Sequence, residues 1–158
     1  MDSSAFVKEF SEEIGSEIAH RLFSMCKKGR IDHITSHWTI GESIAAVDRK
    51  FRKRELTEDQ MDTIIVTLIG RTTELANTKH LTIVALNQNL VTASWKYIAS
   101  NHLSADDALH LVSSLVTECD IFIASDKYLV AVIKREGMES YNISDQKDIS
   151  KLSKMLET

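Results

Sequence analysis

The chain of 158 residues contains no proline and only 5 glycines. An average protein has roughly 5% proline and 7% glycine. Because proline ends or kinks helices and both residues mark turns, their scarcity favours long uninterrupted helices with short connections. It argues against a β-sandwich, which needs many turns. The length suits one domain with its own core, so we expect residues 1–158 to form a single domain.

The charge and hydropathy of the chain exclude several classes of protein. Lys and Arg number 19 against 23 Asp and Glu, which gives a formal net charge of −4. A net acidic chain argues against a dedicated duplex-DNA binder, but not against a nucleic-acid enzyme that carries its positive charge as bound metal. No apolar run is long enough to cross a membrane, and the first residues lack the pattern of a signal peptide. Two cysteines without metal spacing, Cys26 and Cys119, are typical of reduced thiols, so we expect a cytoplasmic protein that does not enter a membrane.

Hydrophobic periodicity predicts helices that alternate with short apolar strands. This alternation is typical of an α/β fold with a mostly parallel sheet, here of about five strands. The segment 146–157 is expected to be a helix that docks on the domain or on a partner, since its apolar residues form one stripe. Helices are predicted at 15–28, 37–54, 57–78, 87–100, 104–116, 127–136 and 146–157, and strands at 31–36, 81–86, 121–124 and 140–143.

Four acidic residues lie where functional sites occur in parallel sheets, outside the carboxyl ends of the strands. They are Asp2, Glu42, Asp107 and Asp126. Carboxylates that lie close together raise each other's pKa, and a hard divalent cation removes that conflict. Oxygen ligands select Mg²⁺ or Mn²⁺ over zinc, and such an ion can activate water and stabilise charge on a phosphodiester. The pattern therefore indicates metal-dependent hydrolysis, provided that the four side chains converge.

Each of these acids also has a purely structural interpretation. Asp107 follows Ser104 at the spacing of a capping box, and Asp126 has the position of a turn residue or helix N-cap. Glu42 fits a solvated helix face. Other residues are interpreted as structural too: the basic run 49–54 as a solvated helix end, His110 as a packing or hydrogen-bonding residue, and Trp38 and Trp95 as core or interface anchors.

Four segments of the sequence, in order, resemble the motifs of one family. Asp2-Ser3-Ser4-Ala5-Phe6-Val7-Lys8 is similar to the opening motif of PIN-domain proteins. The segment 39–46 (TIGESIAA) matches the one that carries their second acid, 104–111 (SADDALHL) resembles the third motif, and 119–129 (CDIFIASDKYL) resembles the last. Together the motifs span nearly the whole chain, which within this superfamily is most similar to the VapC-type ribonuclease toxins.

The resemblance implies a PIN-like three-layer α/β domain, a mostly parallel central sheet flanked by helices, and a metal-dependent endoribonuclease. It implies that Asp2, Glu42, Asp107 and Asp126 are catalytic and hold Mg²⁺ or Mn²⁺, and that Ser4 is the small polar residue that positions substrate. It also implies an RNA substrate, a homodimer and a cognate antitoxin whose extended segment covers the acidic groove. The alternatives are an RNA-processing PIN nuclease without an antitoxin and a degenerate, non-catalytic PIN-like binding domain.

The sequence departs from the family pattern at two places. Several apolar strand residues usually precede the first Asp, whereas only Met1 precedes Asp2, so we expect Asp2 to be poorly held if that strand is missing. Ala124 stands where the family has a hydroxyl, and Ser125 is the candidate to replace it.

Overall fold

Helices make up most of the structure, a computed structural model that describes residues 1–157. Their order relative to the strands agrees with the alternation predicted from the sequence. The α-helices are α1 (Ser3–Phe6), α2 (Ser16–Lys27), α3 (His37–Arg52), α4 (Glu58–Asn77), α5 (Gln88–Asn101), α6 (Ala105–Val116), α7 (Lys127–Arg135) and α8 (Gln146–Met155). The strands are β1 (His33–Ser36), β2 (Leu81–Val84), β3 (Ile121–Ala124) and β4 (Glu139–Asn142), and a 3-10 helix, Val7–Phe10, follows α1.

Side-chain caps fix where the long helices begin. The Thr57 hydroxyl accepts a hydrogen bond from Gln60 N–H (3.2 Å), and the Gln60 side chain accepts one from Thr57 N–H (2.9 Å). This reciprocal pair satisfies two backbone donors at the first turn of α4, and it confirms the capping box predicted there. Ser36 and Asn87 cap α3 and α5 in the same way with a single bond each.

The strands form two separate parallel pairs. β1 pairs with β2, with His33 opposite Leu81, and β3 pairs with β4, with Ile121 opposite Glu139. The predicted α/β class and the parallel direction are therefore confirmed. The prediction of one sheet of about five strands is wrong for residues 1–157, in which four strands form two sheets of two.

The first two residues lie between the two sheets. The amino group of Met1 donates a hydrogen bond to Ile34 O of β1 (3.1 Å). Asp2 N–H donates to Ile123 O of β3 (3.0 Å). Met1 and Asp2 therefore bridge β1 and β3 by one backbone hydrogen bond each.

Helix α8 packs on the domain through one apolar stripe. Leu152 is fully buried in an apolar cluster with Ile123, Tyr141 and Ile143, and Ile149 packs against the same cluster. This contact covers one face of the β3–β4 sheet. Among residues 1–157, no helix combines the length and the apolar character needed to cross a membrane.

A buried histidine at the start of β1 makes the fold sensitive to acid. His33 packs edge-on against Phe23, with ring centroids 5.1 Å apart, and neither of its ring nitrogens has a hydrogen-bond partner within residues 1–157. Burial, helped by the positive charge of the chain's amino group, lowers the pKa of His33 from 6.5 to about 3. The folded protein therefore holds a neutral imidazole over a pH range in which the unfolded chain takes up a proton.

We expect His33 to destabilise the fold as the pH falls from 6.5 toward 3. The unfolded state binds the extra proton in that window, so the loss should reach about 2 kcal/mol at pH 5 relative to pH 8. In His33→Leu this contribution is absent. Urea unfolding of both proteins at several pH values should give a stability difference that grows by about 2 kcal/mol in favour of the variant. Parallel pH curves for the two proteins would contradict the assignment.

Candidate active site at the strand ends

Asp2 is buried at the junction of the two sheets, where it caps helix α1. Its side chain is 3% exposed. One carboxylate oxygen accepts a hydrogen bond from Ala5 N–H (2.9 Å) and the other accepts one from the Ser4 hydroxyl (2.7 Å). Together with the backbone bond to Ile123, these contacts hold Asp2 in place, contrary to the expectation that it would be poorly held.

The environment of Asp2 opposes its negative charge. Burial raises the pKa of Asp2 above its ordinary value, although the nearby His110 and the hydrogen bonds from Ser4 and Ala5 act in the other direction. A carboxylate that is withdrawn from water in this way is stabilised by any positive charge brought beside it.

Ser4 connects Asp2 to the loop that follows β3. Its hydroxyl donates to Asp2 (2.7 Å) and accepts a hydrogen bond from Ser125 N–H (2.9 Å). The Ser125 hydroxyl in turn donates to Ser4 O (3.4 Å). Ser4 therefore orients the Asp2 carboxylate, and its contact with substrate stays a prediction.

Glu42 projects from α3 toward α6 and meets His110. Its Oε2 lies 2.7 Å from Nε2 of His110, and the other ring nitrogen of His110 lies 3.4 Å from the Thr39 hydroxyl. The His110 side chain is 4% exposed and the Glu42 side chain 20% exposed, so the ring is shielded from water while the carboxylate still reaches it. The predicted hydrogen-bonding role of His110 is confirmed.

Asp106 lies close enough to Glu42 for the Glu42 side chain to affect its pKa. Although its partial burial acts in the opposite direction, hydrogen bonds with Ser104 and with the Glu42 side chain hold the pKa of Asp106 below its ordinary value.

Asp107 lies in the first turn of α6 and is bonded to the residue that caps that helix. Ser104 accepts a hydrogen bond from Asp107 N–H (3.2 Å) and donates one to the Asp107 carboxylate (2.7 Å). Ser104 is thus a helix cap, as its sequence predicts. The side chain of Asp107 bonds to the Ser104 hydroxyl, whereas a full capping box would place it on the Ser104 backbone N–H.

Like charges surround Asp107. Burial raises the pKa of Asp107, the negative charges of Asp106 and Asp126 raise it further, and Ser104 and His110 partly offset them. Asp126 itself caps α7, since its Oδ1 accepts a hydrogen bond from Leu129 N–H (2.7 Å). Both acids therefore combine a structural role in a helix cap with membership in one electrostatic cluster.

The structure links the four predicted acids in pairs and does not arrange them as a ligand set. His110 bonds to Glu42 and lowers the pKa of both Asp2 and Asp107, whereas Asp126 acts on Asp107 alone. Within residues 1–157, however, no group of three or more His, Cys, Asp or Glu side chains is arranged to hold a metal ion.

Two residues of this cluster, Asp106 and His110, were not predicted as site residues. A signal for His110 was present in the sequence. It follows Asp107 by three residues in the same helix, so the two share a face of α6.

Comparison of this chain with known protein families and with curated proteins finds no match.

Proposed function

We propose that the protein is a metal-dependent endoribonuclease that hydrolyses RNA phosphodiester bonds and serves as the toxin of a toxin–antitoxin pair. The observation that carries this proposal is His110, which bonds to Glu42 (2.7 Å) and lowers the pKa of both Asp2 and Asp107, and so links three of the predicted acids. Asp2 and Asp107 both have raised pKa values, and the negative charge of Asp126 contributes to the raised pKa of Asp107. The four PIN-like sequence motifs support the same function.

The donor chemistry of the cluster fits Mg²⁺ or Mn²⁺. Its acids offer carboxylate oxygens, which hard divalent cations prefer, and the mutual repulsion at Asp107 is what such a cation would relieve. Asp2, Glu42, Asp107 and Asp126 are the proposed ligands, directly or through water. Because no three of them stand at ligand distances in residues 1–157, this proposal requires the side chains to draw together when the ion binds.

The residues of the chain itself have distinct tasks in this proposal. A bound divalent ion would supply activation of water and stabilisation of charge on the phosphodiester. Ser4 orients Asp2 through the 2.7 Å hydrogen bond, and His110 orients Glu42 through the bond of the same length. Support of this kind fixes the direction in which an acid presents its oxygens, which matters as much as the identity of the acid.

The proposed partners are RNA, a small antitoxin and a second copy of the chain, all in the cytoplasm. Exposed aromatic side chains favour protein partners, since Trp38 is 42% and Trp95 60% exposed. Both side chains are too exposed for the core, which was one of the two roles predicted for them, and the other role, interface anchor, stays a prediction. An antitoxin could neutralise the acidic cluster with an arginine, whose planar fork binds carboxylates well.

Cleavage of a structured RNA tests the proposed function. We expect cleavage by the wild-type protein with Mn²⁺ and none with the ion removed by a chelator. Asp107→Asn keeps the hydrogen bond from Ser104 but loses the negative charge, and it should lower the cleavage rate at least about tenfold. The matched control is Asp62→Asn, on the exposed face of α4. Equal metal-dependent cleavage by wild type and Asp107→Asn would refute the assignment.

A non-catalytic PIN-like binding domain is the second candidate. The observation that favours it is the absence of an assembled ligand set in residues 1–157. Calorimetric titration with Mn²⁺ separates the two candidates, because a nuclease of this kind must bind the ion and a degenerate domain need not.

A further inference from the structure

The basic run 49–54 lies at the end of helix α3, and two of its cations are held by acids. Nε of Arg52 lies 2.9 Å from Oδ2 of Asp48, and Nζ of Lys50 lies 3.7 Å from Oε1 of Glu13. Both pairs are open to solvent, so they stabilise the fold only slightly. They do reduce the positive charge that these two residues offer to a ligand.

Two other cations of the run, Arg49 and Lys53, are not held in this way. Both residues are exposed, and within residues 1–157 neither forms an ion pair with an acid. Lys53 is the C-cap of α3 and still follows the helical path, whereas Arg54 leaves it with a left-handed backbone (φ 62°). Arg49 and Lys53 therefore present two uncompensated positive charges at this end of α3.

These two cations share a face of α3 with Glu42. They follow Glu42 by seven and eleven residues, a spacing that keeps side chains in line on a helix of about 3.6 residues per turn. At about 1.5 Å per residue, Arg49 lies about 10 Å and Lys53 about 16 Å beyond Glu42 along the helix axis. Ala45 and Ala46 occupy the same face in between. We call these five residues the α3 line.

The α3 line is accessible to a ligand along its whole length. The Glu42 side chain is 20% exposed, and the residues that follow it on the line are exposed or half-buried. The helix packs on the domain through another face, where Ser43 and Val47 are buried. The α3 line thus begins at an acid of the candidate site, crosses two small side chains and ends in positive charge.

We propose that the α3 line is the path of a single-stranded RNA backbone, with one phosphodiester at Glu42 and two further phosphates against Arg49 and Lys53. This inference rests on the proposed nuclease function, because Glu42 is one of the proposed metal ligands. Arg and Lys neutralise phosphates and position a strand without reading its sequence. The two small side chains leave space for sugar and base between the phosphates. The path gives a net acidic chain a local attraction for a polyanion beside its acids.

RNA binding in the absence of metal tests the path. A twelve-nucleotide oligouridine is titrated with the full chain in the presence of a chelator, and its fluorescence anisotropy gives Kd at several salt concentrations. We expect the double variant Arg49→Gln/Lys53→Gln to bind at least about tenfold more weakly than the wild type at about 50 mM salt. For two lost phosphate contacts, the slope of log K against log salt should decrease in magnitude by about 1.4.

The matched control is Lys50→Gln/Arg52→Gln, which removes the same charge from the same end of the helix and has the same effect on the helix dipole. We expect its affinity to stay within about threefold of the wild type, with an unchanged slope. Equal weakening in the two double variants would show that RNA responds only to overall charge, and it would overturn the path. Absence of oligouridine binding by the wild type would overturn it as well.

A second measurement locates the RNA on the helix. The same oligouridine is added while the backbone amide signals of Ala45 and Ala46 are followed by NMR, with Thr73 on the exposed face of α4 as the reference. We expect saturable shifts of both alanine amides in the wild type and their loss in the variant that lacks the two unpaired cations. Shifts confined to residues 49–54 would contradict a path that reaches the acids.

Neither measurement uses a divalent ion or follows cleavage, so the path and the proposed nuclease activity can fail separately. Mn²⁺-dependent cleavage by a chain whose RNA binding does not depend on Arg49 and Lys53 would retain the nuclease and remove the path. RNA binding along α3 without any Mn²⁺-dependent cleavage would retain the path and remove the nuclease.

Discussion

Replacement of Phe6 by alanine is expected to destabilise the protein by about 3–5 kcal/mol. Phe6 is fully buried, and its ring packs edge-on against Phe23 with a centroid distance of 5.1 Å. Phe10 and His33 complete the aromatic group, at 6.3 and 6.0 Å from Phe6. The alanine variant loses both the burial of the ring and the ring–ring contacts, and these are worth about 0.5–1.5 kcal/mol for each well-placed pair.

Urea unfolding at neutral pH measures this loss. Val66→Ala is the control, since Val66 is 70% exposed on α4 and its truncation should change stability by no more than about 0.5 kcal/mol. A loss below 1 kcal/mol for Phe6→Ala would contradict the packing described for this cluster.

We also expect Phe6→Ala to bind Mn²⁺ more weakly than the wild type, because α1 has only four residues and cannot hold Asp2 by its own helical stability.

Local signals in the sequence predicted most of the helices and strands. The capping box at Thr57 and the cap at Ser104 depend on residues three apart, so the chain carries them within one turn. The strand around Ile121–Ala124 follows from a short apolar run between polar residues. These features need no knowledge of the rest of the fold.

The pairing of the strands could not be read in the same way. Strands β1 and β3 do not pair with each other, because Met1 and Asp2 lie between them. Two backbone hydrogen bonds place these residues there, from Met1 to Ile34 and from Asp2 to Ile123. Their partners are more than thirty and more than a hundred residues away along the chain. Periodicity reports which residues are apolar, but it does not report which edges meet.

The residues of the candidate site were likewise predicted only in part. The sequence pointed to Asp2, Glu42, Asp107 and Asp126 because acids at strand ends are recognisable residue by residue. It did not indicate that His110 bonds to Glu42, since only the packing of α3 against α6 brings these two side chains together. Burial, which dominates the raised pKa of Asp2, is likewise a property of the folded chain alone.

The substitution Asp2→Asn should separate stability from activity. Burial is the main cause of the raised pKa of Asp2. The folded protein therefore holds the Asp2 proton more tightly than the unfolded chain does. Stability that is present below the ordinary pKa of aspartate is lost as the pH rises through the raised pKa, so the charged carboxylate weakens the fold at neutral pH. Asparagine has the same shape and keeps an oxygen for the hydrogen bond from Ala5. We therefore expect Asp2→Asn to be more stable than the wild type at pH 7.5 without metal, and this advantage should disappear below the ordinary pKa of an aspartate.

The same variant should lower metal-dependent RNA cleavage by about 100-fold or more, the upper end of the range for supporting residues, because no water can replace a carboxylate buried at 3% exposure. In thermal unfolding, Mn²⁺ at about 100 times its Kd should stabilise the wild type by about 2.7 kcal/mol and Asp2→Asn far less. Asp62→Asn should behave as wild type in both measurements. A variant that is stabilised yet inactive assigns Asp2 to ion binding, since a merely structural acid would not combine a gain in stability with a loss of cleavage. Retention of cleavage and of Mn²⁺ stabilisation in Asp2→Asn would remove Asp2 from the site.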